Sequence, residues 1–175
     1  MKKLAYIACA FLLISCGGGT GPQRPSQWLG KALKVDTAEL NLMQFNQRMA
    51  AEADAELMQY VREQDESYAL YHSSAWVHIM ENGDLDREPY NYGQTCTLHL
   101  RTYTLNKKKS LLADVYQSFK IGESQLPYAV VEVVRELHPG AKANIIAPWY
   151  AAYGMQGNAQ VPPYQNVIIE LTIVE

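Results

Sequence analysis

The chain has 175 residues, of which 48% are hydrophobic and 19% charged, and its 15 basic and 18 acidic residues give a net charge of −3. That much apolar material excludes a disordered chain. A mildly acidic balance with no long basic run excludes nucleic acid as the expected partner.

Met1-Lys2-Lys3 places positive charge before an apolar stretch, Leu4 to Ser15, that is too short to anchor stably across a bilayer. Residues 1–15 are therefore expected to be a signal peptide. Leu13-Ile14-Ser15-Cys16 resembles the lipobox of bacterial lipoproteins, in which the cysteine becomes the lipidated first residue of the mature chain. That resemblance makes Cys16 the lipidation site and membrane anchor, and it places the protein in the bacterial cell envelope. No acidic residue follows Cys16 closely, which favours a periplasm-facing attachment. Gly17 to Ser26 is rich in Gly and Pro, so residues 16–35 read as a flexible tether. Losing Lys2 and Lys3 with the leader leaves 13 basic residues against 18 acidic. Cys9 leaves with the leader and Cys16 carries the lipid, so Cys96 has no partner for an intramolecular disulfide. Cys96 sits in a strand-like segment and is expected to be buried. His99, three residues on, falls on the opposite face and is a poor base for it.

From Asp36 or Thr37 to about Gln64, Leu42, Phe45, Met49, Ala53, Leu57 and Val61 recur at intervals of three and four. The spacing predicts a helix, assigned to residues 36–66, with one apolar stripe. Such a stripe suits docking on the protein's own domain or a homodimer formed with a second copy. Ala75 to Met80 reads as a strand ending at the Asn82-Gly83-Asp84 turn. Gly93-Gln94 leads into a long strand, Thr95 to Leu105. Asn106-Lys107 marks a turn, with Lys107 to Lys109 as a solvated hairpin tip. Leu111 to Val115 and Ser118 to Gly122 read as strands. Pro127 suits the first turn of a helix, where its missing N–H costs nothing. Val130 to Leu137 continues that helix and His138-Pro139-Gly140 stops it. A short strand ends at Pro148, and a loop follows with Tyr153-Gly154, Gly157 and Val161-Pro162-Pro163. The closing strand runs from Val167 to Val174. The order predicts an α+β fold, a bent antiparallel sheet wrapped on one short helix over residues 70–175, preceded by the N-terminal helix.

Several of these segments stand in a familiar order. Gly93-Gln94 before a long strand, Phe119-x-Ile121-Gly122, the Gly140 turn, Ala152-Tyr153-Gly154 and Val161-Pro162-Pro163 before the last strand resemble the FKBP-type peptidyl-prolyl cis-trans isomerases. The resemblance implies catalysis of X-Pro bond rotation in polypeptide clients, without a cofactor or metal. The four histidines, His72, His78, His99 and His138, have no metal-ligand spacing. The barrier to that rotation is about 18–20 kcal/mol, and a dry apolar pocket lowers it because the twisted amide carries less charge separation than the planar one. By this resemblance Tyr153 is the hydroxyl donor and Val161 a pocket wall. Leu100 and Ile169 take positions that are aromatic in the family. The pocket floor, a Trp in the family, falls on Val130, or on Ala129 if Leu126-Pro127 is matched to the family's Ile-Pro. With Leu126 at the Ile position its N–H is available to a substrate carbonyl; with Pro127 there, that donor does not exist. The Leu126 alignment is preferred because the Ile-Pro step is the more characteristic. The family's mid-domain Phe-Asp pair falls near Ser110-Leu111 and is missing, leaving Trp149 or Tyr103 to refill the bowl. Two readings follow, a membrane-anchored isomerase assisting the folding of envelope or secreted proteins and a catalytically degenerate binding module or holdase.

Overall fold

The computed structural model describes residues 37–174 apart from 73, 107–108 and 124–125. The leader, Cys16, the tether, Asp36 and two lysines of the expected hairpin tip lie outside the described residues. Helix α1 (Thr37–Arg62) comes first, then β1 (Ala69–Tyr71), β2 (Ala75–Glu81), β3 (Thr95–Thr104) and β4 (Leu111–Lys120). Helix α2 (Tyr128–Val134), β5 (Lys142–Ala147), a single 3-10 turn at Trp149–Ala151 and β6 (Val167–Val174) complete it. The α+β fold expected above is the one formed. Among the described residues no helix is long and apolar enough to cross a membrane.

The six strands make one antiparallel sheet in the order β1-β2-β5-β6-β3-β4. Strand β6 lies between β5 and β3, pairing Ile169 with Ile145 on one side and with Thr102 on the other. Short α2 covers one face. Val130, Val133 and Val134 are fully buried there in a cluster with Val77, Leu98, Ile145, Ile169 and Leu171. Helix α1 covers part of the opposite face, where Leu57 packs with Leu105, Ile146 and Ile168, and Trp76 and Tyr103 close the patch. Burial from both sides explains why Val167, Ile168 and Ile169 form an unbroken apolar run: no residue there faces water.

Three details differ from the sequence reading. Strand β1 was not anticipated; at three residues it is too short to show alternation. Residues 111–120 form one strand rather than two, because β3 pairs with them without a break through Tyr116 and Gln117, whose exposure on this edge strand interrupts the apolar pattern in sequence. Helix α2 ends at Val134, and the chain turns before reaching His138. One glycine position shows why the β2 turn needs that residue: Gly83 has φ +77, and a Cβ there would run into the backbone of His138, Pro139 and Ala141.

Candidate active site

A cleft of about 130 Å³ opens between the edge of the sheet, the start of α2 and the loop before β6. Strand β3 contributes Leu100 and Thr102, and β4 contributes Ala113, Val115, Gln117 and Phe119, every second residue of an alternating strand. Leu126 and Pro127 come from the entry to α2, and Tyr153, Asn158 and Gln160 from the loop. Five aliphatic residues and two rings, Phe119 and Tyr153, share the lining with the Thr102 hydroxyl and the carboxamides of Gln117, Asn158 and Gln160.

The loop between Pro148 and Asn166 carries Tyr153 and is fastened at its base. Trp149 N–H donates to the Asn166 side-chain oxygen at 2.9 Å, and Gly154 N–H donates to Trp149 O at 2.7 Å. Asn158 folds the far end, its Oδ1 accepting from the N–H groups of Gln160 and Val161 at 2.8 and 2.7 Å. Gly157, at φ +63, approaches so closely that a Cβ would meet the Val161 carbonyl and the Pro162 backbone.

The outer side of this loop rests on α1. Tyr150 Oη donates to Asp54 at 2.5 Å, Tyr164 Oη to Asn46 at 3.0 Å, and Asn166 Nδ2 to Glu56 at 2.6 Å. Trp149 Nε1 reaches the Met49 carbonyl at 3.4 Å. The Trp149 ring lies 4.8 Å from that of Tyr164, which in turn meets Phe45 edge-on at 5.9 Å. Tyr164 has φ +54, a conformation unfavourable for a bulky residue, and these contacts hold it there.

The sequence-derived residues divide into two groups. Leu100, Leu126 and Tyr153 line the cleft. Val130, Val161 and Ile169 are closed to solvent and belong to the core cluster, outside the lining residues. Ala129 is buried with them, so neither alignment of the floor brings a ring there. The rings proposed to refill the bowl are engaged elsewhere: Trp149 packs on α1, while Tyr103 belongs to the α1-side cluster and donates to Glu170 at 3.2 Å. Phe119 and Thr102 were not singled out as lining residues. The alternation of Ala113, Val115, Gln117 and Phe119 would have found the first, had β4 been read as continuous.

Tyr153 Oη sits 3.0 Å from Thr102 Oγ1. Burial pushes its phenol above the usual value of 10.0, with the Thr102 contact opposing, so at neutral pH it stays protonated and able to donate. Cys96 is on β3 with its side chain in the core cluster, and burial raises its thiol to about 11, leaving it unreactive as a nucleophile near neutrality. His99 points to the other face and pairs with Asp114 at 2.7 Å. The cleft is therefore suited to taking an apolar side chain out of water while a phenol donates to a neighbouring carbonyl. Among the described residues lining it there is no acid–base pair, and rotation about an amide needs none.

The family model for FKBP-type peptidyl-prolyl cis-trans isomerase matches residues 87–174. Among curated proteins none matches the sequence. Among solved structures, the N-terminal domain of FKBP42 from Arabidopsis thaliana is similar at 20% identity and TM-score 0.55, over 64% of this chain and 93% of that one. A multi-domain immunophilin from the same plant gives 21% and 0.53, over 64% of this chain and 46% of that one. A peptidyl-prolyl cis-trans isomerase from Pseudomonas syringae pv. tomato gives 10% and 0.60, over 74% and 93%. At these identities the structural likeness speaks for the fold, while the family model speaks through the sequence itself. Matched over half its length, with its sheet packed on α2, the chain belongs to the FKBP-type peptidyl-prolyl cis-trans isomerases.

Proposed function

We propose that this chain is a lipid-anchored isomerase of the bacterial cell envelope that accelerates X-Pro rotation in envelope or secreted polypeptides. The observation that carries the catalytic part is the Tyr153 hydroxyl, which burial keeps protonated at neutral pH, in a cleft that also presents Leu100, Val115, Phe119 and Leu126. The prolyl ring enters the apolar walls and loses water. The phenol donates to a flanking carbonyl and fixes the peptide while the amide twists. The experiment is a protease-coupled assay on several X-Pro peptides with the soluble protein. Turnover above the uncatalysed rate is expected, and a folded protein without it would overturn the reading. The second reading, a holdase or binding module, is favoured by the filled-in valine at Val130 and by the polar Gln117, Asn158 and Gln160 around the cleft. Proline-peptide binding without turnover would select it.

The anchor is supported by Leu13-Ile14-Ser15-Cys16 and the Gly-rich residues after it. In this reading residues 1–15 are removed and 16–35 tether the described part, facing the periplasm. Cys16→Ala is expected to release the protein from membranes or block its processing; normal mass with unchanged membrane fractionation would reject the anchor. Pairing of two copies through α1 is the further use of that helix, supported by Leu40, Leu42 and Met43, which stay exposed. Sedimentation of the soluble protein decides it.

A further inference from the structure

We infer that Thr102 is a positioning residue for the cleft: its hydroxyl donates to Tyr153 and so turns the phenolic proton toward the bound peptide.

Thr102 lies on the inward face of β3, is 1% exposed, and stands in register with Ala113 on β4 and Ile169 on β6. Neither neighbour offers a side-chain polar atom. Its Oγ1 is 3.0 Å from Tyr153 Oη, and each of the two hydroxyls has one proton, so the bond has two possible directions. If Tyr153 donated, the Thr102 proton would need another acceptor, yet Thr102 borders the cleft at only 1% exposure and is almost closed to water. Among the described residues the Thr102 hydroxyl has no other side-chain partner. If Thr102 donates, its proton is satisfied, and the proton left over belongs to Tyr153, which lines the open cleft where water or a substrate carbonyl accepts it. Only this direction leaves no buried donor without an acceptor. A phenol already accepting one hydrogen bond is also polarised toward giving another. The donor is thus aimed before the peptide arrives, and nothing must reorient during rotation. The two residues are 51 apart in sequence, so the arrangement exists only because the loop folds back over β3.

The consequence for turnover rests on the isomerase reading, but the direction of the bond does not, and the test separates them. Wild type, Thr102→Val, Thr102→Ser, Tyr153→Phe and the Thr102→Val/Tyr153→Phe pair are compared in the proline-peptide assay. Valine keeps the shape of threonine and removes only the hydroxyl's bonding. Thr102→Val is expected to lower kcat/KM about five- to tenfold, mainly through kcat, with Thr102→Ser restoring it. In the Tyr153→Phe background the same change should have no further effect. Equal losses in both backgrounds, or no loss in either, would overturn the proposal. Independently, the alkaline titration of Tyr153 is followed by carbon NMR of ring-labelled tyrosine. A donor to its oxygen favours the phenolate, so removing Thr102's hydroxyl should move that titration to higher pH. An unmoved or lowered midpoint overturns the proposal whatever the catalytic result. An inactive wild type with the expected shift would overturn the isomerase reading alone.

Discussion

The two sides of the Pro148–Asn166 loop are built by different means. The side facing α1 is held by three side-chain hydrogen bonds, a long indole contact and a chain of three rings that meet edge-on. The side facing the cleft has the Tyr153–Thr102 bond and the internal turn of Asn158. The first side is dense and redundant, whereas the second leaves its polar groups turned toward whatever enters. Support and function are thus divided across one loop, and α1 belongs to the support. A helix that looks in sequence like an accessory is part of what holds the tyrosine in place.

The contrast can be broken at its strongest point by Leu57→Ala. Leu57 is 1% exposed and packs against Leu105, Ile146 and Ile168, so the cavity should cost about 2–5 kcal/mol in urea unfolding. A loss well under about 1 kcal/mol would mean that α1 rests on the sheet without sharing its core. On the cleft side, Gly157→Ala forces a side chain into φ +63 and against the Val161 carbonyl, at a cost of about 1–3 kcal/mol. Gly154→Ala is the control: φ is +74 but the space is open, so only the backbone penalty applies and the thermal shift should be smaller. Comparable shifts for the two would show that the close approach at Gly157 carries no energy.

The mildest probe is pH. Burial first, then the hydrogen bond to Asp54 and its charge, raises the Tyr150 phenol above 10.0. A raised folded value means that the stabilisation is complete below the unfolded tyrosine's titration and is lost as pH climbs through the folded one. Asp54→Asn removes the charge and weakens the bond, so folded Tyr150 should ionise at lower pH, closer to the unfolded tyrosine, and the alkaline loss of stability should be smaller and end sooner. Urea midpoints measured across the alkaline range for both proteins check this; coincident curves would show that the bond does not couple helix to loop.

Much of the fold was legible because glycines and prolines punctuate it. Asn82-Gly83, His138-Pro139-Gly140 and Pro162-Pro163 mark turns that the backbone indeed makes. Strand β4 was harder because its outer surface is exposed and its inner one lines an open cleft, so neither face imposes a clean apolar rhythm. Within the site, Tyr153, Leu100 and Leu126 could be reached through short motifs. Val161 and Ile169 could be aligned, but nothing in a linear pattern says whether an apolar residue lines a cleft or lies in the core layer, and both prove to be fully buried. Thr102 was invisible for a different reason: its partner is distant in sequence, and a threonine in a strand looks ordinary until the loop closes over it.

The central place of β6 sets the order in which this domain can be made. The strand latest in sequence sits between β5 and β3, so every earlier stage leaves two separate pieces, β1-β2-β5 and β3-β4, each with a bare hydrogen-bonding edge. During synthesis the sheet cannot close until residues 167–174 have emerged, and folding must wait for pairings that are distant along the chain. A chain interrupted before β6 would present unpaired apolar edges to its neighbours, a form suited to chaperones, proteases or aggregation. The final strand is the keystone, and its arrival commits the polypeptide to its native topology.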